Sequence, residues 1–360
     1  MFYFRAIPKV SVLLRMIFLV FANPISKLNI DLPNIKLDRN GILLFRKSRD
    51  GMNFLFEHFY KKNGRQLRVW LPSLYCWEIV NEFNNEMILV NWYPVNSDFQ
   101  PDWDYLNSLN EKFTFDVFYL VSFFGVPAEL SNGRNFAKKK KAFLFIDETH
   151  SPIPSTTPEK NEFLFLSWYK QFSIPNGAAV LIDSKCNDDL IIAYSRLPTY
   201  KNVLSDLVWV FKTLVVKLTN RMPYLPNTYT TIIDSTNYRA YEVSKGMSFI
   251  SEMILNISLH KIFNLKFTYQ YYEFEINRLC SGMNYELINF REVNSHLFGI
   301  RFGTVIEANA AYEIFKKKKF PVVSWPQKQY ITIVPTAMRE EVKSTIDRML
   351  FLCAFSDNFN

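Results

Sequence analysis

"FLFLSWYKQFSIPNGAAVLI" spans residues 163–182 and reads as an apolar run, a lysine, a turn and a second apolar run. Lysine is almost never fully buried unless it is paired or used. Lys170 lies between two β-rich segments, with Trp168 and Tyr169 before it and Phe172 after it. One reading ends a strand at this lysine and lets its amine snorkel to water. The other holds the amine in a dry pocket, where desolvation leaves it partly deprotonated and able to attack a carbonyl. The sequence on either side decides between them.

Outward from this stretch, residues 67–183 alternate short apolar runs with helical patterns. "LRVWLP" reads as a strand followed by a helix from Leu74 to Phe83, and "MILVNWY" as a strand followed by a helix starting near Pro101. "FDVFYLVSF" is a strand followed by a helix over Pro127–Lys141, and "AFLFID", "NEFLFLS" and "AAVLI" are three further strands. Near-continuous apolar strands separated by helices indicate a mostly parallel sheet covered on both faces, an α/β layer architecture. Beyond Leu190 the pattern turns helical, over 203–222 and 238–260. It then mixes the strands "HLFGIRFG", "FPVVSW" and "YITIV" with a helix over Glu307–Lys318 and a last one over Ala337–Phe355. This organisation predicts an N-terminal segment over 1–44, a large domain over 45–245 and a small α+β domain over 246–360.

The 360 residues carry a 49% hydrophobic and 17% aromatic composition, enough for large cores and incompatible with a mostly disordered chain. The net charge of +8 does not collect into one stripe. Lys138–Lys141 and Lys316–Lys319 each precede an apolar run and read as last helical turns, where cations suit the helix dipole. They are solvated faces rather than a nucleic-acid surface. Cys76, Cys186, Cys280 and Cys353 are scattered, with neither metal-ligand spacing nor a disulfide framework, which favours a reducing cytoplasm. The apolar stretch 10–22 is broken by Arg15 and falls short of the ~20 residues that span a bilayer, so it reads as a packed segment and membrane contact is not expected.

Open α/β sheets bind ligands beyond the carboxyl ends of their strands. "AFLFID" ends in Asp147, followed by "ETH", and "NEFLFLS" ends in Ser167, close before Lys170. "LLFRKSRDGMNFLFEHF" offers Ser48, Arg49, Asp50 and Gly51 where a helix begins, and "LRVWLP" opens into "SLYCW" with Tyr75 and Cys76. One cofactor uses all of these. Pyridoxal phosphate needs a lysine for its Schiff base, a carboxylate against its pyridine nitrogen, a helix N-terminus for its phosphate and a flat side chain over its ring. Lys170, Asp147, the Ser48–Gly51 turn and Tyr75 fill those roles in turn. His150 reaches the ring hydroxyl or stacks on the ring, and Ser167 donates to the phosphate. Taken singly, a strand-end Asp reads as a helix cap, a lone His as a structural residue and "SRDG" as an ordinary turn. The order of the set carries the inference.

The motifs "SRDGMNFL", "LPSLYCWEIV", "NWYPVNSDFQPDWDYL", "LVSFFGVP", "FIDETHSPIPS" and "FLSWYKQFSIPNGAAVL" resemble the large domain of the DegT-like sugar aminotransferases, of the aspartate-aminotransferase fold. The branch they resemble is found in bacterial polysaccharide gene clusters. "INFREVNSHL", "FPVVSWPQ" and "YITIVPT" resemble its small-domain helix and strands. The resemblance implies a cytoplasmic, pyridoxal-phosphate-dependent aminotransferase of fold type I, acting on a keto-sugar, nucleotide-linked, with an amino-acid donor such as glutamate, and forming a homodimer. It makes Lys170 the Schiff-base lysine and Asp147 the partner of the pyridine nitrogen. His150 stands where the family has Gln or His, Ser167 contacts the phosphate, and Tyr75 or Cys76 covers the ring. Three departures stand out: Gly177 is followed by Ala178 rather than a second glycine, Ser48 replaces a common glycine, and the Asn-containing loop across the dimer interface is not recognisable. The rival expectations are a scaffold that keeps the fold without the chemistry, and another reaction on sugars such as dehydration.

Overall fold

The computed structural model describes residues 38–200 with short interruptions, Val208 and Phe211, parts of 243–317, and two strands at 322–325 and 330–333. The apolar stretch 10–22, the helix expected over 337–355, and most of those over 203–222 and 238–260 lie outside the described residues. The first unit is a seven-stranded sheet. Its strands are β1 (Ile42–Phe45), β2 (Leu67–Pro72), β3 (Ile88–Tyr93), β4 (Val117–Val121), β5 (Phe143–Asp147), β6 (Glu162–Leu166) and β7 (Ala178–Ile182). They lie in the order β1-β7-β6-β5-β4-β2-β3. The pairs β2–β3, β2–β4, β4–β5 and β5–β6 are parallel, while β7 runs antiparallel to both β6 and β1. The expected mostly parallel sheet is therefore present, with one reversed strand.

Every residue of β4, β6 and β7 is buried, because helices cover both faces. Side-chain alternation sorts the two cores. Tyr119, Phe145, Phe163, Phe165 and Val180 face α1 (Ser48–Asn63), which contributes Met52, Leu55, Phe56 and Phe59. Phe118, Leu120, Leu144, Leu164 and Leu181 face the other way, toward Phe136 and Ala137 of α4 (Leu130–Lys140). Between these helices come a single turn, α2 (Trp77–Val80), and α3 (Trp103–Ser108), whose Asp102 cap accepts the Tyr105 N–H at 3.0 Å. Helix α4 starts later than the sequence suggested, because Val126, which precedes Pro127, is held extended. Its last turn carries Lys138, Lys139 and Lys140, with Lys141 in the left-handed region at φ 56°, as the solvated-turn reading of this run requires.

The chain continues through α5 (Asp188–Ser195). Lys245 bridges to Phe45 and Thr199, the Gly246 N–H donates to the Leu44 carbonyl at 2.7 Å, and Met247 and Leu255 pack in the α4-side core. These contacts join residues 245–255 to the first sheet. The second sheet, β8 (Tyr285–Leu287), β9 (Phe298–Phe302), β10 (Val322–Trp325) and β11 (Tyr330–Ile333), is antiparallel in the order β10-β11-β9-β8 and packs on α6 (Val305–Lys317).

Helix α1 sets the geometry at the site end of the sheet. Its Asp50 carboxylate accepts the Lys47 N–H at 3.2 Å, and Gly64 at φ 63° closes its far end by donating to the Tyr60 carbonyl. Gly51 faces the sheet: a Cβ there would lie 2.5 Å from Val180 Cγ2 and 3.1 Å from the Phe45 ring. The missing side chain lets α1 lie close against β1 and β7. Gly51→Ala gains about 1 kcal/mol of helix propensity, but the overpacking it forces costs about 1–3 kcal/mol. Urea denaturation is expected to show a net loss of stability, and Val180→Ala in the same chain is expected to recover most of it. A Gly51→Ala protein at least as stable as wild type would refute the close-approach account.

Candidate active site

The carboxyl ends of β4, β5 and β6 lie side by side, with Val121 registered on Asp147 and Asp147 on Phe165. Asp147 ends β5 on the α1 face, because it shares the parity of Phe143 and Phe145. Beyond it, Glu148, Thr149 and His150 are also buried, which makes four buried polar residues in succession. Such a run is unfavourable unless every group finds a partner. Glu148 takes the backbone N–H of Ser155 at 2.8 Å and also the Ser155 hydroxyl, although burial still holds its carboxyl above the ordinary range. Asp147 Oδ1 accepts the Thr149 N–H at 3.0 Å, and Oδ2 accepts the Tyr75 hydroxyl at 3.1 Å.

Lys170 completes this chain of contacts. It is 6% exposed, and its Nζ donates to Thr149 Oγ1 at 3.1 Å. Its backbone is fixed by a single 3-10 turn over Trp168–Lys170, with the Lys170 N–H on the Ser167 carbonyl and the Tyr169 N–H on the Gly177 carbonyl. Burial is the dominant influence on the amine and lowers its proton affinity; Asp147 and Cys76 oppose that shift, and Arg49 adds to it. Desolvation thus favours the neutral, nucleophilic amine. The dry-pocket reading of Lys170 describes this geometry, and the snorkelling one does not.

The remaining sequence-predicted residues gather around this core to different degrees. Ser167 is wholly buried, and its hydroxyl has no hydrogen-bond partner among the described residues. Ser48 and Arg49 form the first turn of α1, where unpaired N–H groups and the helix dipole favour an anion. Asp50 stands in the same turn, but its carboxylate caps its own helix; burial raises its proton affinity against the pull of Arg46, Lys47 and Arg49. Gly51 is turned to the sheet, so its bareness serves packing rather than the approach of a ligand. His150 Nδ1 accepts the Phe124 N–H at 3.0 Å, which places its own proton on Nε2, and its ring lies parallel to that of Phe124 at 6.1 Å. Tyr75 does not lie flat over the site as expected. It packs in the α1-side core, with its ring 5.4 Å from that of Tyr119 and its hydroxyl turned to Asp147. Cys76 is half-buried, and its charge acts on Lys170.

Sequence reasoning missed Thr149, which links Asp147 to Lys170, and the "ETH" run was the only signal for it. It also missed Asn176, whose side-chain oxygen accepts the Ser248 N–H at 2.8 Å and whose own N–H donates to Ser251 Oγ at 3.3 Å. That buried network ties the loop after Lys170 to residues distant in sequence, and no local pattern announces it.

No family model matches the chain, and neither does any curated protein sequence. Solved structures do match. The pyridoxal-phosphate form of a Streptococcus pneumoniae protein assigned as a sugar aminotransferase aligns over 96% of this chain and 98% of its own, at 11% identity and a TM-score of 0.60. The pyridoxal-phosphate-bound C–S lyase of Staphylococcus hominis aligns over 97% of this chain and 90% of its own, at 12% identity and a TM-score of 0.55. Histidinol-phosphate aminotransferase of Clostridium acetobutylicum aligns over 96% and 99%, at 11% identity and a TM-score of 0.52. The chain has the fold type I architecture of pyridoxal-phosphate enzymes. In fold type I terms, the buried lysine lies in the loop between β6 and the reversed strand β7, beside the carboxylate that ends β5.

A buried lysine of lowered proton affinity weakens the cofactor-free fold, because the unfolded chain binds its proton more readily. That penalty is fully present below the lowered folded-state value. It fades as pH rises through the window up to about 10.4, the ordinary lysine value. Lys170→Met is therefore expected to be more stable than wild type to urea at pH 7, by a margin that narrows toward pH 10. A margin that stays constant or widens with pH would contradict the buried amine.

Proposed function

We propose that the protein is a pyridoxal-phosphate-dependent aminotransferase. One observation carries the reading: a buried lysine amine, biased toward its neutral form, is linked through Thr149 to a strand-end carboxylate in a fold type I sheet. The donor set fits the cofactor. Ser167 offers a buried hydroxyl without a protein partner among the described residues, and the first turn of α1 offers backbone N–H groups next to Arg49, a combination suited to a phosphate. Asp147 offers a carboxylate for the N–H of a pyridinium. His150 and Cys76 complete the set of side chains proposed for the ring's edge and face.

When bound, pyridoxal phosphate supplies an electron sink for the negative charge that develops at the substrate carbon bearing the amine. The chain's own residues do the rest. Lys170 would hold the cofactor and, as a neutral amine, would accept on Nζ the proton leaving the substrate carbon. A neutral amine is required for that, and its dry surroundings favour it. Asp147 would accept a hydrogen bond from the ring nitrogen. Thr149 orients both groups through its N–H and its hydroxyl.

For substrate, we propose a keto-sugar, nucleotide-linked, with an amino-acid donor such as glutamate, in surface polysaccharide or amino-sugar biosynthesis in the cytoplasm. The motif resemblance and the sugar aminotransferase assignment of the Streptococcus pneumoniae neighbour support this choice. We further propose an isologous homodimer, against which a fully active monomer in light scattering would count.

Titration of the protein with pyridoxal phosphate is expected to produce a visible absorbance band, which glutamate bleaches in a half-reaction. Asp147→Asn is expected to fold and keep the band while turnover falls by about 100-fold or more, the scale typical of removing one electrostatic partner of the reacting group. Normal turnover in Asp147→Asn would leave that residue as a turn-stabilising side chain, since the Asn oxygen can also accept the Thr149 N–H.

A further inference from the structure

We infer that Tyr75 is a positioning residue for Asp147: its hydroxyl, donated to Oδ2 at 3.1 Å from inside the core, fixes this carboxylate in the orientation from which it would accept the N–H of the cofactor's ring nitrogen. The inference rests on the cofactor reading above and assigns Tyr75 a part other than covering the ring.

The surroundings of the phenol give it this role. Tyr75 follows β2 in a tight turn, with its N–H on the Pro72 carbonyl at 2.9 Å, which sends the side chain down into the α1-side core. There its hydroxyl lies 4.0 Å from Met52 Sδ, and its ring packs on Tyr119, which stands one layer below Asp147 on the neighbouring strand. Burial, with Tyr119 and Asp147 adding to it, drives its proton affinity well above that of an ordinary phenol. Tyr75 therefore acts as a donor and not as a base. A buried carboxylate is costly unless donors meet its oxygens. Two donors hold Asp147 in place: the Thr149 N–H on Oδ1 and the Tyr75 hydroxyl on Oδ2. Each carboxylate oxygen accepts more than one hydrogen bond, so a pyridinium N–H still finds a lone pair. Burial biases Lys170 toward its neutral form, which weakens it as a charge partner of Asp147.

The test loads the protein with pyridoxal phosphate labelled with nitrogen-15 in the ring and reads the ring-nitrogen chemical shift at a single pH. Wild type is expected to show the protonated-ring value, and Tyr75→Phe a shift toward the unprotonated value while the visible band persists. An unchanged ring-nitrogen signal in Tyr75→Phe overturns the inference and leaves the cofactor reading standing. Absence of a visible band in wild type removes the cofactor reading first, and this inference with it. If Tyr75→Phe does not fold, 3-fluorotyrosine at position 75 keeps the shape and reports the bond. Its fluorine resonance is expected to move in Asp147→Asn, and an unmoved resonance overturns the inference.

Discussion

A lysine amine shut away from water is the constraint around which this structure is arranged. At 6% exposure Lys170 can be accommodated only as a weakly basic amine with an acceptor at hand, and Thr149 Oγ1 is that acceptor at 3.1 Å. Thr149 is in place because its N–H is held by Asp147, and Asp147 is in turn held by Tyr75 from the core. The run Tyr75–Asp147–Thr149–Lys170 is thus a single polar thread through an aromatic core, and each member satisfies its neighbour. A thread of this kind tolerates little: removing one group takes a hydrogen bond from a buried neighbour.

Sheet topology makes the arrangement reachable. In the parallel strands β4 to β6 the carboxyl ends coincide, so Asp147 and Ser167 emerge at one edge. Strand β7 then returns antiparallel to β6, and the connection between them spans that same edge instead of leaving through a crossover helix. Lys170 occupies this connection. Gly177, at φ 142°, lets the chain re-enter the sheet where a Cβ would press on Ile174 and Met247, and Asn176 fastens the loop to Ser248 and Ser251. On the other side, Gly51 allows α1 to lie low on β1 and β7, which brings the helix N-terminus to the same edge.

The strands were legible because near-continuous apolar runs between helical patterns have few other readings, and Asp147 and Lys170 were legible because they interrupt or end those runs. The individual roles were harder. Gly51 read as part of an anion-binding turn, but its neighbours Val180 and Phe45 come from distant strands that the local sequence does not reveal. Tyr75 read as a ring cover, since its direction depends on the turn after Pro72 and on the room left between Met52 and Tyr119. The division expected at 245 had no linker composition to mark it, and the contacts of Lys245, Gly246 and Met247 with the first sheet are long-range pairings. The short α2 and the late start of α4 follow from local rules that a coarse periodicity overrides.

The central claim is that Lys170, among the many lysines of a basic chain, is the one that carries the cofactor. Borohydride reduction of the protein saturated with pyridoxal phosphate, followed by peptide mapping by mass spectrometry, addresses it directly. A single phosphopyridoxyl label on residue 170, absent from Lys170→Ala, is the expected result. Label on another lysine, or none at saturation, would contradict the account and leave the fold serving as a scaffold without this chemistry.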